Sequence, residues 1–111
     1  MDLMNRTVSR LALAAGLVFG AAATHAATPA ELATKAGCAV CHQPAAKGLG
    51  PSYQEIAKKY KGQAGAPATM AERVRKGSVG VFGKVPMTPT PPARISDADL
   101  KTVIDWILKT P

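Results

Sequence analysis

Cysteine is nearly absent from this chain, with 2 in 111 residues. Two thiols cannot build the disulfide framework that staples many small exported domains. Aromatic residues are almost as scarce: Phe19, Tyr53, Tyr60, Phe82 and Trp106 make up the whole supply, 5 % of the chain. Acidic charge is thin, 7 Asp+Glu against 14 Lys+Arg, which leaves a formal charge of +7. Length is short as well. Domains commonly hold ~100–200 residues, so a doubly wound sheet, a barrel or a two-domain enzyme with a cleft between its halves is excluded. The 47 % hydrophobic and 19 % charged composition excludes a disordered or collagenous chain. What is plentiful is Gly (10) and Pro (9), which promise long stretches of loop.

The N-terminal stretch sets the compartment. Residues 1–10 carry Arg6 and Arg10, residues 11–23 are wholly apolar, and the passage ATHAAT places small side chains at Thr24 and Ala26. A basic start, an apolar stretch near the expected ~7–15 residues and a small-residue cleavage site read as a secretory signal peptide over residues 1–26, removed after Ala26. A retained anchor is the competing reading, but a spanning helix wants ~20 strongly apolar residues and this run is diluted by Ala and Gly. Loss of Asp2, Arg6 and Arg10 with the leader would leave 12 basic and 6 acidic side chains in residues 27–111. The expected product is a small, basic protein of the periplasm.

Helix caps recur through the remainder. Thr28-Pro29-Ala30-Glu31 sets a hydroxyl before a proline and a glutamate three residues later, and Ser52, Thr69 and Ser96 are followed at the same spacing by Glu55, Glu72 and Asp99. Such a hydroxyl accepts from an otherwise unpaired backbone N–H, while the carboxylate favours the positive end of the helix. Helices are expected over 28–38, 52–61, 69–76 and 96–109. The basic runs before Gly62 and Gly77 fall at the negative ends of the second and third helices, and are read as solvated last turns rather than a nucleic-acid site. The last helix shows an apolar stripe of Leu100, Val103, Ile104 and Ile107, with Trp106 at its margin, and needs an apolar surface to lie on. Leu32 and Ala36 offer one, with Gly37 allowing close backbone approach. Residues 77–95 hold three glycines and four prolines, a density that excludes regular structure. Ordered loops longer than ~12–15 residues are usually functional.

The chemistry lies in Cys38-Ala39-Val40-Cys41-His42. C-x-x-C-H is the attachment sequence for a c-type haem. Two thiols three residues apart can form thioethers with the two vinyl groups on one side of the porphyrin, and the next residue, His42, is then held beneath the iron. Two other readings compete. A redox thiol pair wants C-x-x-C at a helix N-terminus among strands, whereas this pair follows a helix. A zinc site needs a fourth ligand, and the other histidine, His25, falls in the leader.

A second axial ligand is wanted on the iron. Met1 and Met4 fall in the leader, leaving Met70 and Met87. Met70 sits in a helix and reads as a core side chain. Met87 stands between Pro86 and Thr88-Pro89, where prolines stiffen the loop and can present one side chain in a fixed direction; a loop methionine packed in the core is the plainer alternative. A thioether is soft and neutral, so it favours ferrous iron and raises the reduction potential. With both axial places filled, oxygen and peroxide have no open position.

The order Cys38-Ala39-Val40-Cys41-His42, Gly50-Pro51, Gly62-Gln63-Ala64-Gly65-Ala66, the glycine-rich 77–83, Pro86-Met87 and a closing Trp106 resembles the class I c-type cytochromes, specifically the small bacterial c-551/c-552 type, across about residues 28–109. The resemblance implies an all-α fold, four helices wrapped around one covalently attached haem c, in a single domain over 27–111. It implies that the Pro51 carbonyl accepts the His42 ring N–H, that Arg73 reaches a haem propionate, and that the first and last helices cross behind the haem. Three departures stand out: Phe82 where many members have a tryptophan that bonds the same propionate, Thr88 in place of a second proline, and a longer 88–95 segment.

The function implied is that of a soluble electron carrier rather than an enzyme, exchanging single electrons with periplasmic redox proteins: an upstream donor and a reductase, oxidase or peroxidase. The alternative is a haem c subunit held in a larger periplasmic oxidoreductase complex. Lys47 and Lys84 stand where they would ring an exposed haem edge, or else are ordinary loop lysines. A positive surface would steer the protein to acidic patches on its partners. No nucleic acid and no stable membrane insertion are expected, and a monomer is.

Overall fold

A proline or a glycine marks almost every change of direction in the computed structural model, which describes residues 15–22 and 25–111. The leader expected over 1–26 thus lies largely outside the described residues. Those residues hold four α-helices, α1 (Pro29–Lys35), α2 (Tyr53–Tyr60), α3 (Ala66–Lys76) and α4 (Asp97–Leu108), with a short 3-10 turn at Cys38–Val40. Among the described residues no helix is long and apolar enough to cross a membrane.

Three of the four expected caps form. Thr28 Oγ1 accepts from the Glu31 amide at 3.2 Å while the Glu31 carboxylate accepts from the Thr28 amide at 2.7 Å. Ser52 and Glu55 repeat the exchange at 3.1 and 3.0 Å. In α4 the Ser96 hydroxyl accepts from the Asp99 amide at 3.1 Å, and the shorter Asp99 side chain leaves the reciprocal arrangement half formed. The fourth cap is a correction. α3 starts three residues before Thr69, at Ala66, with Gly65 as its cap and Pro67 in the first turn. The Thr69 amide already donates to the Gly65 carbonyl at 3.1 Å. Proline is tolerated there because its missing N–H would be unpaired anyway, so the helix gains a turn that the hydroxyl-to-glutamate spacing conceals. Glu72 pairs instead with Lys76, one turn on, at 2.9 Å.

α1 also stops earlier than expected. Its last residue is Lys35, and Gly37, in the left-handed region with φ 90°, turns the chain into the 3-10 turn that carries Cys38. The close approach at Gly37 is to a side chain: a Cβ there would lie 3.2 Å from Arg94 Nη1.

The α4 stripe is borne out. Leu100, Val103, Ile104 and Ile107 are all buried, and α4 packs against each of α1, α2 and α3. Burying an aliphatic side chain of this size contributes about 1.5–3 kcal/mol, which makes α4 the axis of the core. Ala33 of α1 and its C-terminal cap Ala36, Ile56 and Tyr60 of α2 and Met70 of α3 complete that core. The half-buried Trp106 meets Tyr53 edge to face, with ring centroids 5.2 Å apart.

Residues 77–95 are irregular apart from one isolated antiparallel bridge, Ser78 to Met87. Its two bonds measure 2.8 Å from the Met87 amide and 3.1 Å back from the Ser78 amide.

Candidate haem-binding site

The attachment turn is wound tightly enough to gather its functional side chains. The Cys41 and His42 amides both donate to the Cys38 carbonyl, at 3.2 and 2.9 Å. Cys38, Cys41 and His42 consequently line one cavity of about 310 Å³. Cys38 and Cys41 form no disulfide with each other, and both are half-buried. Burial pushes the Cys38 thiol up, with a smaller rise from Cys41, against the lowering effect of a backbone hydrogen bond. A redox thiol pair needs the opposite shift, a stabilised thiolate at a helix N-terminus. The zinc reading fares no better: among the described residues no group of three or more His, Cys, Asp or Glu is placed to hold a metal ion.

Three neighbours set the His42 ring. Its Nδ1 lies 2.7 Å from the Pro51 carbonyl oxygen. A carbonyl only accepts, so Nδ1 carries the proton and Nε2 keeps its lone pair for a metal. Tyr53 stacks beside the imidazole, centroids 6.1 Å apart and planes 24° from parallel. Gly50 closes the loop: its amide donates to the Cys41 carbonyl at 2.9 Å, and a Cβ there would stand 2.8 Å from His42 Cε1. Only a glycine lets the chain pass that close to the ring.

Met87 lines the same cavity. Its backbone is fixed by the bridge to Ser78, and Gly77, at φ 78°, makes that bridge accessible: a Cβ on Gly77 would lie 2.6 Å from the Met87 carbonyl oxygen. Met70 also faces the cavity but is packed into the core cluster, whereas Met87 lies outside that cluster. Arg73 reaches the wall too, its Nη1 donating to the Tyr60 hydroxyl and its guanidinium carbon 5.7 Å from the centre of the Tyr60 ring.

Tyr53 and Tyr60 also line the cavity, although no motif in the sequence marks them as site residues. Their signal is spacing, since Tyr53, Ile56 and Tyr60 recur on one buried face of α2, but Tyr53 stands inside the Ser52-to-Glu55 cap pattern and Tyr60 inside the basic run before Gly62. The structure brings together all six expected site residues, Cys38, Cys41, His42, Pro51, Arg73 and Met87, on the cavity wall. Phe82, Leu49 and Val85 line it as well yet remain exposed, so they mark its mouth. Lys47 and Lys84 are exposed beside that mouth in the chain, without themselves lining the cavity.

The donor set fits a covalently held haem. There are two thiols on one turn for thioethers, an unprotonated imidazole nitrogen and a thioether for iron, a guanidinium for a carboxylate, and aliphatic walls from α4.

A family model described as cytochrome c matches residues 26–111. A cytochrome c2 of Rubrivivax gelatinosus is 94 % identical over 85 residues, 77 % of this chain and 100 % of that protein. Cytochrome c-551 of Pseudomonas aeruginosa is 42 % identical over 80 residues, covering 72 % of this chain and 74 % of that protein. The crystal structure of wild-type cytochrome c552 from Nitrosomonas europaea superposes with a TM-score of 0.68 at 41 % identity, over 74 % of this chain and 99 % of that one.

Proposed function

The chain belongs to the cytochrome c family, an all-α class I member that carries electrons on one haem c bound through Cys38 and Cys41, and from that premise we propose that His42 and Met87 hold the iron and that periplasmic redox proteins are its partners. The observation that carries the ligand assignment is a single cavity lined both by a His42 ring whose Nε2 is left unprotonated and by a Met87 whose backbone is bridged to Ser78.

When bound, haem c supplies an iron that alternates between ferrous and ferric states. The chain's own residues decide how easily. The Pro51 carbonyl, accepting from Nδ1, fixes the imidazole and makes it a better donor. The Met87 thioether favours the ferrous state. With His42 and Met87 both on the iron, small oxidants would find no coordination position, which suits electron transfer rather than oxygen activation. Arg73, whose guanidinium donates to the Tyr60 hydroxyl on the cavity wall, would hold a haem propionate.

Exposed Leu49, Val85 and Phe82 at the cavity mouth offer a small apolar contact for brief docking, and the basic surplus steers acidic partners toward it. Export through a leader over residues 1–26 accords with the Rubrivivax protein, whose 85 matched residues make up its whole length, the length residues 27–111 would have.

The ligand reading is tested by the visible spectrum of protein made with a haem-attachment system. Wild type is expected to show a sharp reduced spectrum and a weak sulfur-to-ferric-iron band, which Met87→Ala abolishes while ferrous iron in the variant becomes open to carbon monoxide. A band that survives in Met87→Ala would move the assignment to Met70. For the partner, electron-transfer rates to an acidic redox protein are expected to fall as ionic strength rises through ~0.01–0.15 M, where the screening length shrinks from ~30 to ~8 Å; a flat dependence removes the steering argument.

A further inference from the structure

We propose that Arg75 is a positioning residue for Met87: from the end of α3 its guanidinium grips the segment that follows Met87 and so fixes where the thioether stands. The inference rests on the reading of Met87 as iron ligand.

Arg75 is a charged side chain that is only 18 % exposed. Its Nη1 donates to the Thr90 carbonyl at 3.2 Å, and its Nη2 donates to the Ile95 carbonyl at 2.9 Å and to Asp97 Oδ1 at 2.6 Å. The Thr90 amide donates to the Val74 carbonyl at 2.8 Å. Thr90 is therefore held from both faces of its backbone by two consecutive residues of α3. Three residues earlier, Met87 exchanges its two bonds with Ser78. The link between these clamps is Thr88-Pro89, and proline fixes its own φ, so a shift at Thr90 passes to Met87 through a stiff pair of residues.

Little else holds this stretch. Thr88, Pro89, Pro91, Pro92, Ala93 and Arg94 are exposed, and Ile95 is its one buried side chain. Asp97 is almost fully exposed, its side chain 91 % accessible, and exposed ion pairs contribute little. The carbonyl contacts are the stronger ones, because the donor is charged and mostly removed from water. A planar fork reaches both carbonyls and the carboxylate together, which a lysine ammonium cannot do. Arg75 does not line the cavity, so any influence it has on the iron passes through the backbone of 87–90.

The test compares wild-type holoprotein with Arg75→Met, Arg75→Lys and Asp97→Asn, and with Thr28→Ala as a control that weakens a distant helix cap. Four quantities are read: the urea midpoint, the affinity of the ferric protein for imidazole, the sulfur-to-iron band, and amide exchange at Met87 and Thr90. Arg75→Met is expected to bind imidazole about tenfold more tightly, the factor one charge-assisted hydrogen bond represents, with a weaker band and faster exchange at both amides. Arg75→Lys should fall between it and wild type, and Asp97→Asn should stay close to wild type. Thr28→Ala should lower the urea midpoint and leave the other three unchanged. If Arg75→Met behaves like Thr28→Ala, Arg75 is a general staple between α3 and α4 and the inference fails alone. Should Arg75→Met not assemble, unchanged imidazole binding in Arg75→Lys overturns it equally. Survival of the band in Met87→Ala is the separate outcome that overturns the ligand reading and this inference with it.

Discussion

A methyl group at residue 50 would stand 2.8 Å from Cε1 and 3.0 Å from Nδ1 of His42. Neither atom can yield without moving the imidazole off the Pro51 carbonyl. Gly50→Ala is accordingly expected to cost about 1–3 kcal/mol, the range for overfilling a packed site, and to weaken the His42 to Pro51 bond, read as a displaced ring N–H resonance in the ferrous protein. An unchanged resonance would show that the loop relaxes around the methyl. At this scale the sequence is legible wherever chemistry is local: the spacing of Cys38, Cys41 and His42, and the prolines around Met87, mark side chains that all lie on one cavity wall. Arg73 was legible only through resemblance, because its partner Tyr60 lies 13 residues away along the chain. Arg75 was silent for the same reason, since its acceptors at Thr90 and Ile95 are backbone carbonyls that any residue would supply.

Helices were legible through their ends, and the exceptions are instructive. Thr69 and Ser52 present the same hydroxyl-to-glutamate spacing, but Ser52 caps α2 while Thr69 lies inside α3. Substitution separates the two roles. Ser52→Ala removes a buried cap and is expected to lower stability by about 1–2 kcal/mol, whereas Thr69→Ala replaces a β-branched interior residue with the best helix former and should change it by no more than about 0.5 kcal/mol in either direction. Urea unfolding of the two holoprotein variants checks the contrast, and equal losses would mean that Thr69 contributes something the α3 geometry does not show. The early end of α1 has a related cause. Composition does not reveal that Gly37 adopts a left-handed φ of 90°, and without that break Cys38 would stay in the helix instead of entering the turn that gathers it with His42.

Across the whole molecule, the α4 stripe serves two surfaces. Leu100, Val103, Ile104 and Ile107 pack with the other helices and also form part of the cavity wall. The polypeptide core is in that sense hollow, with only four aromatic residues, Tyr53, Tyr60, Phe82 and Trp106, across residues 27–111. A chain of this size buries barely enough apolar surface to fold alone. Without haem, the protein is expected to lack a cooperative thermal transition and most of its helical circular dichroism; a sharp native-like melt of the apoprotein would contradict this. The scarcity of aromatics and the presence of C-x-x-C-H are thus two signs of one arrangement, in which the cofactor supplies the flat apolar centre that the side chains do not.

The unequal anchoring of the two cavity walls also sets an order of events. His42 belongs to a five-residue turn whose thiols are bonded to the cofactor, and its ring is braced by Pro51 and Tyr53. Met87 returns on a loop closed by two backbone bonds, with Val79 and Val85 exposed to water. Segments with so little buried apolar surface open at lower free energy than core helices. The cavity is therefore expected to open like a hinge under heat or denaturant, the Met87 amide losing its exchange protection before the Cys41 and His42 amides that are bonded to the Cys38 carbonyl.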